Sequence, residues 1–504
     1  MPRGRWEGEL VAATNLGVIV RSVAITGVGV IASTGRDVRT FFTNLVNARS
    51  GIRRITQFDP TSLSVQIAAE IPDYRSTDYF AAKRLDFMDR YCEFGLIAAR
   101  EAVQSSGLEV RDEERTRFGV VMGSGMGGAN TLESGFYNLY AKNATRLHPF
   151  TIPKIMHNAA TSQICMEYGA QGPSLATSTA CSSAGHAIGE AFHLIKFGLA
   201  DLMLAGGSDA PITYGMIRSW ESVRVMATGN GDPSRACRPF SADREGLVMG
   251  EGAGVLVVEE LEHARRRGAK IYAELAGYGL SSDASHITQP SVDGPVRAIR
   301  MALEEAGIKP EAVDYVNAHG TGTRLNDATE TQVLKEAFKD HARKLAISST
   351  KSMHGHVMGA TGAIELVATV MALEEGVIPP TANYTKPDPE CDLDYVPNQA
   401  RQARLQVAVS NSFAFGGLNA VLVVRKFAGS VWKAPLPCRV TAAEDILLAK
   451  LRQYGEEYST YQWRDIVGTV TISTSLDSAY LREWATRLGV TDLLEKAQSD
   501  AATN

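Results

Sequence analysis

Ser178-Thr179-Ala180-Cys181-Ser182-Ser183-Ala184-Gly185 is the stretch on which the reading of this chain turns. Here an apolar stretch gives way to a helix pattern. Small residues on both sides leave the Cys181 thiol uncrowded. Ala184, Ile188, Ala191 or Phe192, and Ile195 fall at helical spacing, and Gly198 is a natural stop. A cysteine at a helix N-terminus feels the positive end of the helix dipole, which favours thiolate, the form that attacks carbonyls. The unpaired backbone N–H groups there can receive an oxyanion. A free cysteine taken alone more often simply packs in a core. Three segments further along tilt the reading toward chemistry.

The first is Asn317-Ala318-His319-Gly320-Thr321-Gly322-Thr323, followed by Asn326-Asp327 and Glu330. The second runs from Ser348 through Lys351, His354 and His356 into Gly359-Ala360-Thr361-Gly362-Ala363-Ile364-Glu365. The third is Asn411-Ser412-Phe413-Ala414-Phe415-Gly416-Gly417-Leu418-Asn419. Each follows an apolar, strand-like run, at 313–316, 345–347 and 405–409. Polar, Gly-rich turns at strand ends are where α/β proteins keep their chemistry. A lone His in one such turn is more often structural. A Cys and two His on separate turns, with a Lys five residues before the second His, form a far more specific set.

In this order, these segments resemble the β-ketoacyl-acyl-carrier-protein synthases, the decarboxylating condensing enzymes of fatty-acid and polyketide assembly. They are most similar to the 3-oxoacyl-carrier-protein synthase II type. The resemblance runs from about Arg21 to Lys426 and includes 22–30, Gly206-Gly207-Ser208-Asp209, Arg238-Pro239-Phe240, Gly250-Glu251-Gly252-Ala253-Gly254 and Ser281-Ser282-Asp283-Ala284. It implies an α/β chain with the thiolase fold, a duplicated five-layer αβαβα stack. The two halves then span 21–261 and 262–426, after an extension at 1–20 and before an appended segment at 427–504. No direct sequence repeat carries this two-half view. The patterns at 184–197 and 361–375 are apolar on most faces and suit a buried central layer.

The resemblance implies the residue roles, and each makes chemical sense. Cys181 takes an acyl group from a carrier-protein thioester, splitting one hard step into two easier ones. Malonyl-carrier protein then loses carbon dioxide, and its enolate carbon attacks the acyl-cysteine. His319 and His356, each presenting an N–H while neutral, face the thioester oxygen where charge develops. His356 lies just before a helix pattern, and a helix N-terminus disfavours imidazolium. The backbone N–H groups of Cys181 and Phe415 resemble the second oxyanion hole. Lys351 holds the electrostatics and the histidine positions; Glu365 pairs with it or anchors the loop. The thiolases, with one His and an extra Cys as base, make enolates by proton abstraction, whereas a second His suits decarboxylation. His354 reads as a loop residue lining the entrance, and His186 as a hydrogen-bonded core residue.

Phe415 resembles the gate that screens Cys181, with Gly416 and Gly417 giving the loop freedom. Ala414 and Leu418 depart from the usual Gly and Thr and bear on substrate preference. Met126 resembles the residue that limits acyl-chain depth at a dimer interface, though such a Met equally fills a core. Thr321 and Thr323, and more weakly Thr288, resemble the contacts of the phosphopantetheine arm. Carrier proteins are acidic, so a basic rim is expected; Lys83, Arg84, Arg218 and Arg224 are candidates. Arg224 occupies a position that resembles a family carrier-protein contact. The family is generally homodimeric, with a heterodimer as the alternative.

Composition agrees with an enzyme of this kind. The chain has 504 residues, 44% hydrophobic, ample for a large core. A formal net charge of -5 makes no electrostatic case for nucleic acid. The six cysteines show no paired spacing and no CxxC metal pattern, and read as reduced cytosolic thiols. Neither a cofactor nor a metal is called for. No apolar run approaches the ~20 residues of a membrane span, and Glu7, Glu9 and Asn15 spoil a signal-peptide core. Beyond Lys426, 434–437 reads as a linker, 442–458 as a helix, 469–472 as a strand and 480–496 as a second helix, with no catalytic cluster and no carrier-protein serine motif. Three readings stay open. They are a synthase of fatty-acid elongation, the same chemistry in a specialised polyketide, aryl-polyene or signalling-lipid pathway, and a non-catalytic chain-length partner.

Overall fold

Val23–Ala32 is an unbroken apolar run, and every one of its ten residues is buried, as befits a strand covered on both faces. It is β1, at the centre of the computed structural model, which describes residues 20–427 and, of the remainder, 444, 447, 448, 450–452, 463, 466–470 and 476–503. The other strands are β2 (Arg53–Arg54), β3 (Ile67–Ala68), β4 (Phe118–Gly123), β5 (Ser174–Thr177), β6 (Leu202–Asp209), β7 (Gly252–Glu260), β8 (Ala273–Ser282), β9 (Tyr315–Asn317), β10 (Ala346–Ser348), β11 (Val377–Ile378), β12 (Arg401–Gln402), β13 (Val407–Phe413) and β14 (Leu418–Arg425). The three runs that precede the polar turns are strands β9, β10 and β13; β9 and β10 lie within about two residues of expectation, whereas β13 runs on past Val409 to Phe413 and takes in the start of the third segment.

Ten strands form one sheet in the order β10-β9-β13-β14-β8-β1-β7-β6-β4-β5. The order divides into two sets of five that repeat one topology. In chain order, β1, β4, β5, β6 and β7 occupy the same relative places as β8, β9, β10, β13 and β14. The sense of pairing repeats as well. β4 is parallel to β5 and β6, as β9 is to β10 and β13, and the remaining pairs are antiparallel. The sets meet where β1 and β8 pair, Val23 opposite Leu275 and Ile25 opposite Ala273.

Local packing repeats the duplication. A Cβ at Gly29 on β1 would lie 2.0 Å from Ala98 O, and one at Gly279 on β8 would lie 1.9 Å from Ala298 O. A Gly-x-Gly on each first strand therefore lets a helix, Arg90–Ser106 or Asp293–Ala306, press its alanines onto the sheet. The middle layer consists of the helices Ser183–Lys196 and Thr361–Glu375. They approach so closely that a Cβ at Gly362 would come 3.1 Å from Gly185 N. The second helix has both the predicted bounds and the predicted burial, and it stops at Gly376, which takes the left-handed conformation at φ 68°.

The chain divides into two compact units after Phe427. In the second unit, the pattern at 480–496 is two helices rather than one. Ser478–Leu488 ends at Gly489 with φ 68°, and Thr491–Thr503 begins anew; the left-handed glycine breaks a pattern that is apolar on both sides of it. Residues 469 and 470, expected in a strand, are helical. The expected helix at 442–458 holds for its described residues, while 1–19, 434–437 and 471–472 lie outside those described. Leu447, Leu451, Ile466, Leu481, Ala485 and Leu494 form the apolar core of this unit. No helix among the described residues is long and apolar enough to cross a membrane.

Candidate active site

Cys181 sits on a short turn, Ala180–Ser182, between β5 and the helix Ser183–Lys196. Ala180 takes a left-handed φ of 53°, a strain that side chain–backbone bonds hold in place. The Ser183 hydroxyl donates to Ala180 O at 2.7 Å and accepts from Thr179 N at 2.9 Å; the Ser182 hydroxyl donates to Thr179 O at 2.9 Å. The small, hydroxyl-rich neighbours read in the sequence are thus the brackets of the turn. The thiol itself is buried, and burial pushes it up to about 11. The N–H groups of Phe415 and of Cys181 itself, with the Lys351 charge, pull the other way. The pull toward thiolate expected at the helix end is thus present in the N–H groups, and desolvation outweighs it.

His319 follows β9. Glu330 holds its turn by accepting from His319 N at 2.8 Å and Gly320 N at 2.7 Å, and Asn411 donates to the same carboxylate at 3.2 Å. His356 is tied by its backbone to β7's approach, its N–H donating to Val248 O at 2.7 Å and its carbonyl accepting from Gly250 N at 2.9 Å. The two rings meet edge to face, 5.6 Å between centroids at 87°. One nitrogen of each, Nδ1 of His319 and Nε2 of His356, is buried without a partner. Burial first and the nearby Lys351 charge second hold both well below the usual imidazole range, so both are neutral.

The Cys181 Sγ and ligand nitrogens of the two rings all lie within 4.8 Å of one another. Among the described residues this is the one His/Cys/Asp/Glu set close enough to hold a metal ion. By ligand type such a set suits Zn2+, and an ion there would occupy the thiol.

Lys351 and Glu365 form a wholly buried ion pair at 2.5 Å. Burial raises the Glu365 carboxyl to about 7 even against that partner. Of the two alternatives for Glu365, pairing with Lys351 is the one seen. Two further buried carboxylates escaped assignment from sequence. Glu330 is one. Asp209 is the other; it accepts from Ser124 Oγ (2.7 Å), Gly125 N (2.9 Å), Met126 N (3.0 Å) and Gly359 N (2.7 Å), joining the turn after β4 to the turn before the Thr361–Glu375 helix. Gly206–Asp209 was visible as a motif; four donors from two distant turns were not.

The loop Ala414–Gly417 joins β13 to β14 across the thiol. Gly416 (φ 84°) and Gly417 (φ 71°) are both left-handed, and Gly416 N donates to Ile287 O at 2.7 Å. Phe415 stacks on Trp220, 5.8 Å between centroids at 25°, a partner the sequence reading missed. A cavity of about 540 Å³ opens here, lined by the buried Cys181, His319, His356 and Thr321, by the half-buried Phe415 and Thr323, and by the exposed Thr288 and Arg224. Thr321 and Thr323 hydrogen-bond each other at 2.9 Å.

Other expectations fare differently. Met126 does not line this cavity; it packs, half-buried, against a cluster that includes Ile212, Ile217 and Met358. His354 does not line the entrance. It is wholly buried, with Nδ1 2.8 Å from Gly355 O and Nε2 3.0 Å from Thr350 Oγ1, because the turn after β10 winds inward as a short helix, Lys351–His354. His186 is the core residue expected, its Nδ1 3.1 Å from Ser182 O. Of the basic rim, Arg84 pairs with Glu167 at 2.5 Å and Arg218 with Glu221 at 3.0 Å, while Arg224 is exposed at the cavity mouth. The five described thiols of this unit are all free.

Residues 20–264 match the description "Beta-ketoacyl synthase, N-terminal domain", and residues 272–385 match "Beta-ketoacyl synthase, C-terminal domain". The chain is 44% identical over 409 residues to 3-oxoacyl-[acyl-carrier-protein] synthase 2 of Synechocystis, covering 81% of this chain and 98% of that one. It is 46% identical over 406 residues to nodulation protein E of Rhizobium sp. (strain N33), covering 81% and 99%. Among solved structures it resembles a type II polyketide synthase acyl-carrier protein's ketosynthase, bound to the hexaketide. The TM-score is 0.75, with 34% identity over 81% of this chain and 100% of that one.

Proposed function

The chain belongs to the β-ketoacyl synthase family, and from that premise we propose that it condenses an acyl thioester with malonyl-acyl-carrier protein in fatty-acid chain elongation. The products are 3-oxoacyl-carrier protein, carbon dioxide and free carrier protein. The observation that carries the reading is the convergence of one thiol and two neutral imidazoles in one buried pocket.

The reaction runs in two halves. The Cys181 sulfur forms a bond to the acyl carbonyl carbon, and the carrier's thiol leaves with the proton that the cysteine gives up. The tetrahedral oxygen is received by the N–H groups of Cys181 and Phe415, which already point at the sulfur. Burial keeps the resting thiol protonated, so opening of the Phe415 loop is coupled to activation of the nucleophile. In the second half, the malonyl carbon–carboxylate bond breaks and carbon dioxide departs. The electron pair moves onto the thioester oxygen, facing His319 and His356. The enolate carbon then attacks the acyl-cysteine, and collapse expels the thiolate, which takes up a proton from solvent. Lys351 serves this half twice, holding the histidines neutral and anchoring its helix through Glu365.

The carrier protein approaches the mouth, where Arg224 is exposed and Thr288, Thr321 and Thr323 stand along the path of its arm. A second copy of the chain is the other partner. β5 is the edge of the sheet, with Ser174 and Leu175 exposed. Phe136, Tyr137, Tyr140, Ile152 and Met166, on three successive helices of which the last packs on β5, are exposed as well. Such an edge and apolar patch ask for cover, and pairing of two copies there supplies it.

A second reading keeps the chemistry and moves it to a specialised acyl chain. Its support is the 46% identity to nodulation protein E, on a par with that to the elongation synthase, together with Ala414 and Leu418 in the gate loop. Intact-protein mass after incubation with a panel of acyl-carrier proteins separates the two. An adduct absent in Cys181→Ala and discharged by malonyl-carrier protein as a 3-oxoacyl product supports condensation, and the preferred chain selects the pathway. A wild-type chain that takes no acyl group from any donor sinks both readings.

A further inference from the structure

Thr361 begins the central helix and is 1% exposed. Its Oγ1 lies 3.0 Å from His356 Nδ1 and 3.0 Å from Met358 O. The hydroxyl has one proton and two acceptors within reach. The Met358 carbonyl does not depend on it, because it already accepts the backbone N–H of Thr361. On the far side of the ring, Nε2 is buried with no partner. A neutral imidazole carries one proton, and the bond made by one nitrogen decides which of the two holds it. If the hydroxyl donates to Met358 O, the ring must donate from Nδ1, and a bare Nε2 lone pair faces the cavity and repels the incoming charge. If the hydroxyl donates to Nδ1, Nε2 keeps the proton and becomes a donor.

We propose that Thr361 is the positioning residue that selects the tautomer of His356, its hydroxyl donating to Nδ1 so that Nε2–H faces the malonyl thioester oxygen. The inference rests on the reading of His356 as a receiver of that oxygen. It gives a task to a buried hydroxyl on a helix whose other buried polar side chains, Glu365 and Thr369, are already hydrogen-bonded. The turn between the two residues is pinned by Gly359 N donating to Asp209 at 2.7 Å, so the spacing from ring to hydroxyl is fixed rather than adjustable.

The test compares Thr361→Ser, which keeps the hydroxyl, with Thr361→Val, which keeps the branch and loses it. Three quantities are read: acyl loading of Cys181, decarboxylation of malonyl-carrier protein by the loaded enzyme, and the 15N spectrum of the labelled histidines. Thr361→Ser is expected to match wild type in all three. Thr361→Val is expected to load normally, to split His356 between tautomers, and to decarboxylate at least about tenfold more slowly, toward the ~100-fold of a lost oxyanion donor. Decarboxylation by Thr361→Val within about twofold of wild type overturns the inference. So does equal slowing in both variants with the Nε2–H signal unchanged, which marks a packing defect. A wild-type enzyme that loads no acyl group fails at the earlier reading, and the loading assay tells the two failures apart.

Discussion

Lys351→Met strands Glu365 as an uncompensated buried carboxylate. Both partners of the pair are wholly buried, and the Glu365 carboxyl already sits near 7, raised from 4.5 by burial despite the lysine. That rise corresponds to about 3.5 kcal/mol at about 1.4 kcal/mol per pH unit. Breaking such a pair costs about 3–5 kcal/mol when one charge is left behind. The sign of the pH dependence follows. Without Lys351 the folded-state carboxyl titrates higher still, so the folded chain holds a proton that the unfolded chain releases above its own pKa of about 4.5. Stability then falls as pH rises, by up to about 2.7 kcal/mol between about pH 6 and about pH 8. Urea unfolding at the two pH values reads the difference, beside wild type and the doubly substituted Lys351→Met/Glu365→Gln. The single variant is expected to be worse at the higher pH. The double variant, with neither charge of the pair left, is expected to lose the extra pH dependence of the single one, to follow the wild-type profile, and to be more stable than the single one near pH 8. A single variant equally stable at both pH values refutes the reasoning, as does a double variant no better than the single one.

The gate makes a graded prediction. At Gly416 a Cβ meets nothing closer than Ile287 Cδ1 at 3.9 Å, whereas at Gly417 it would lie 2.4 Å from Asp283 Cβ. Both alanine variants bear the left-handed penalty of roughly 1–2 kcal/mol, but only Gly417→Ala also displaces Asp283. Its acyl-loading rate should fall further, and equal loss in both contradicts the gate geometry. Because burial holds His319 and His356 well below the ordinary imidazole range, decarboxylation by the loaded enzyme should be flat from about pH 6 to 8; a fall to half near pH 6.5 counts against neutral rings. The thiol at about 11 implies the opposite for loading, which should climb through about pH 8 without a plateau. Arg224→Glu should slow loading from carrier protein about tenfold at low salt and much less at high salt, since rim charges act on encounter; a defect independent of salt removes Arg224 from the docking surface.

Much of this was written in short-range pattern. The turn around Cys181 announces itself because hydroxyls at Thr179, Ser182 and Ser183 suit a strained elbow between strand and helix. The three other turns announce themselves by following apolar runs, and the central helix by being apolar on nearly every side. One legible repeat went unread: Gly27-Val28-Gly29 on β1 and Gly277-Tyr278-Gly279 on β8, each facing alanines four residues apart on a helix. The position of His354 was misread, because the turn after β10 winds inward as the short helix Lys351–His354, which nearness to His356 in sequence does not reveal. Asp209 and Glu330 were out of reach, since each acts through donors scattered along the chain.

By itself, then, the sequence determined which residue types stand at the ends of which strands, and with them the family and its chemistry. Those depend on local spacing and on the strand and helix periods. Only the tertiary structure decided the electrical state of the site. Strand order and the close crossing of two central helices bring Cys181, His319 and His356 within 4.8 Å. The same packing excludes water, raising the thiol, holding both rings neutral and forcing Lys351 onto Glu365. Desolvation is set by everything that surrounds a group, and no local run of residues carries that information.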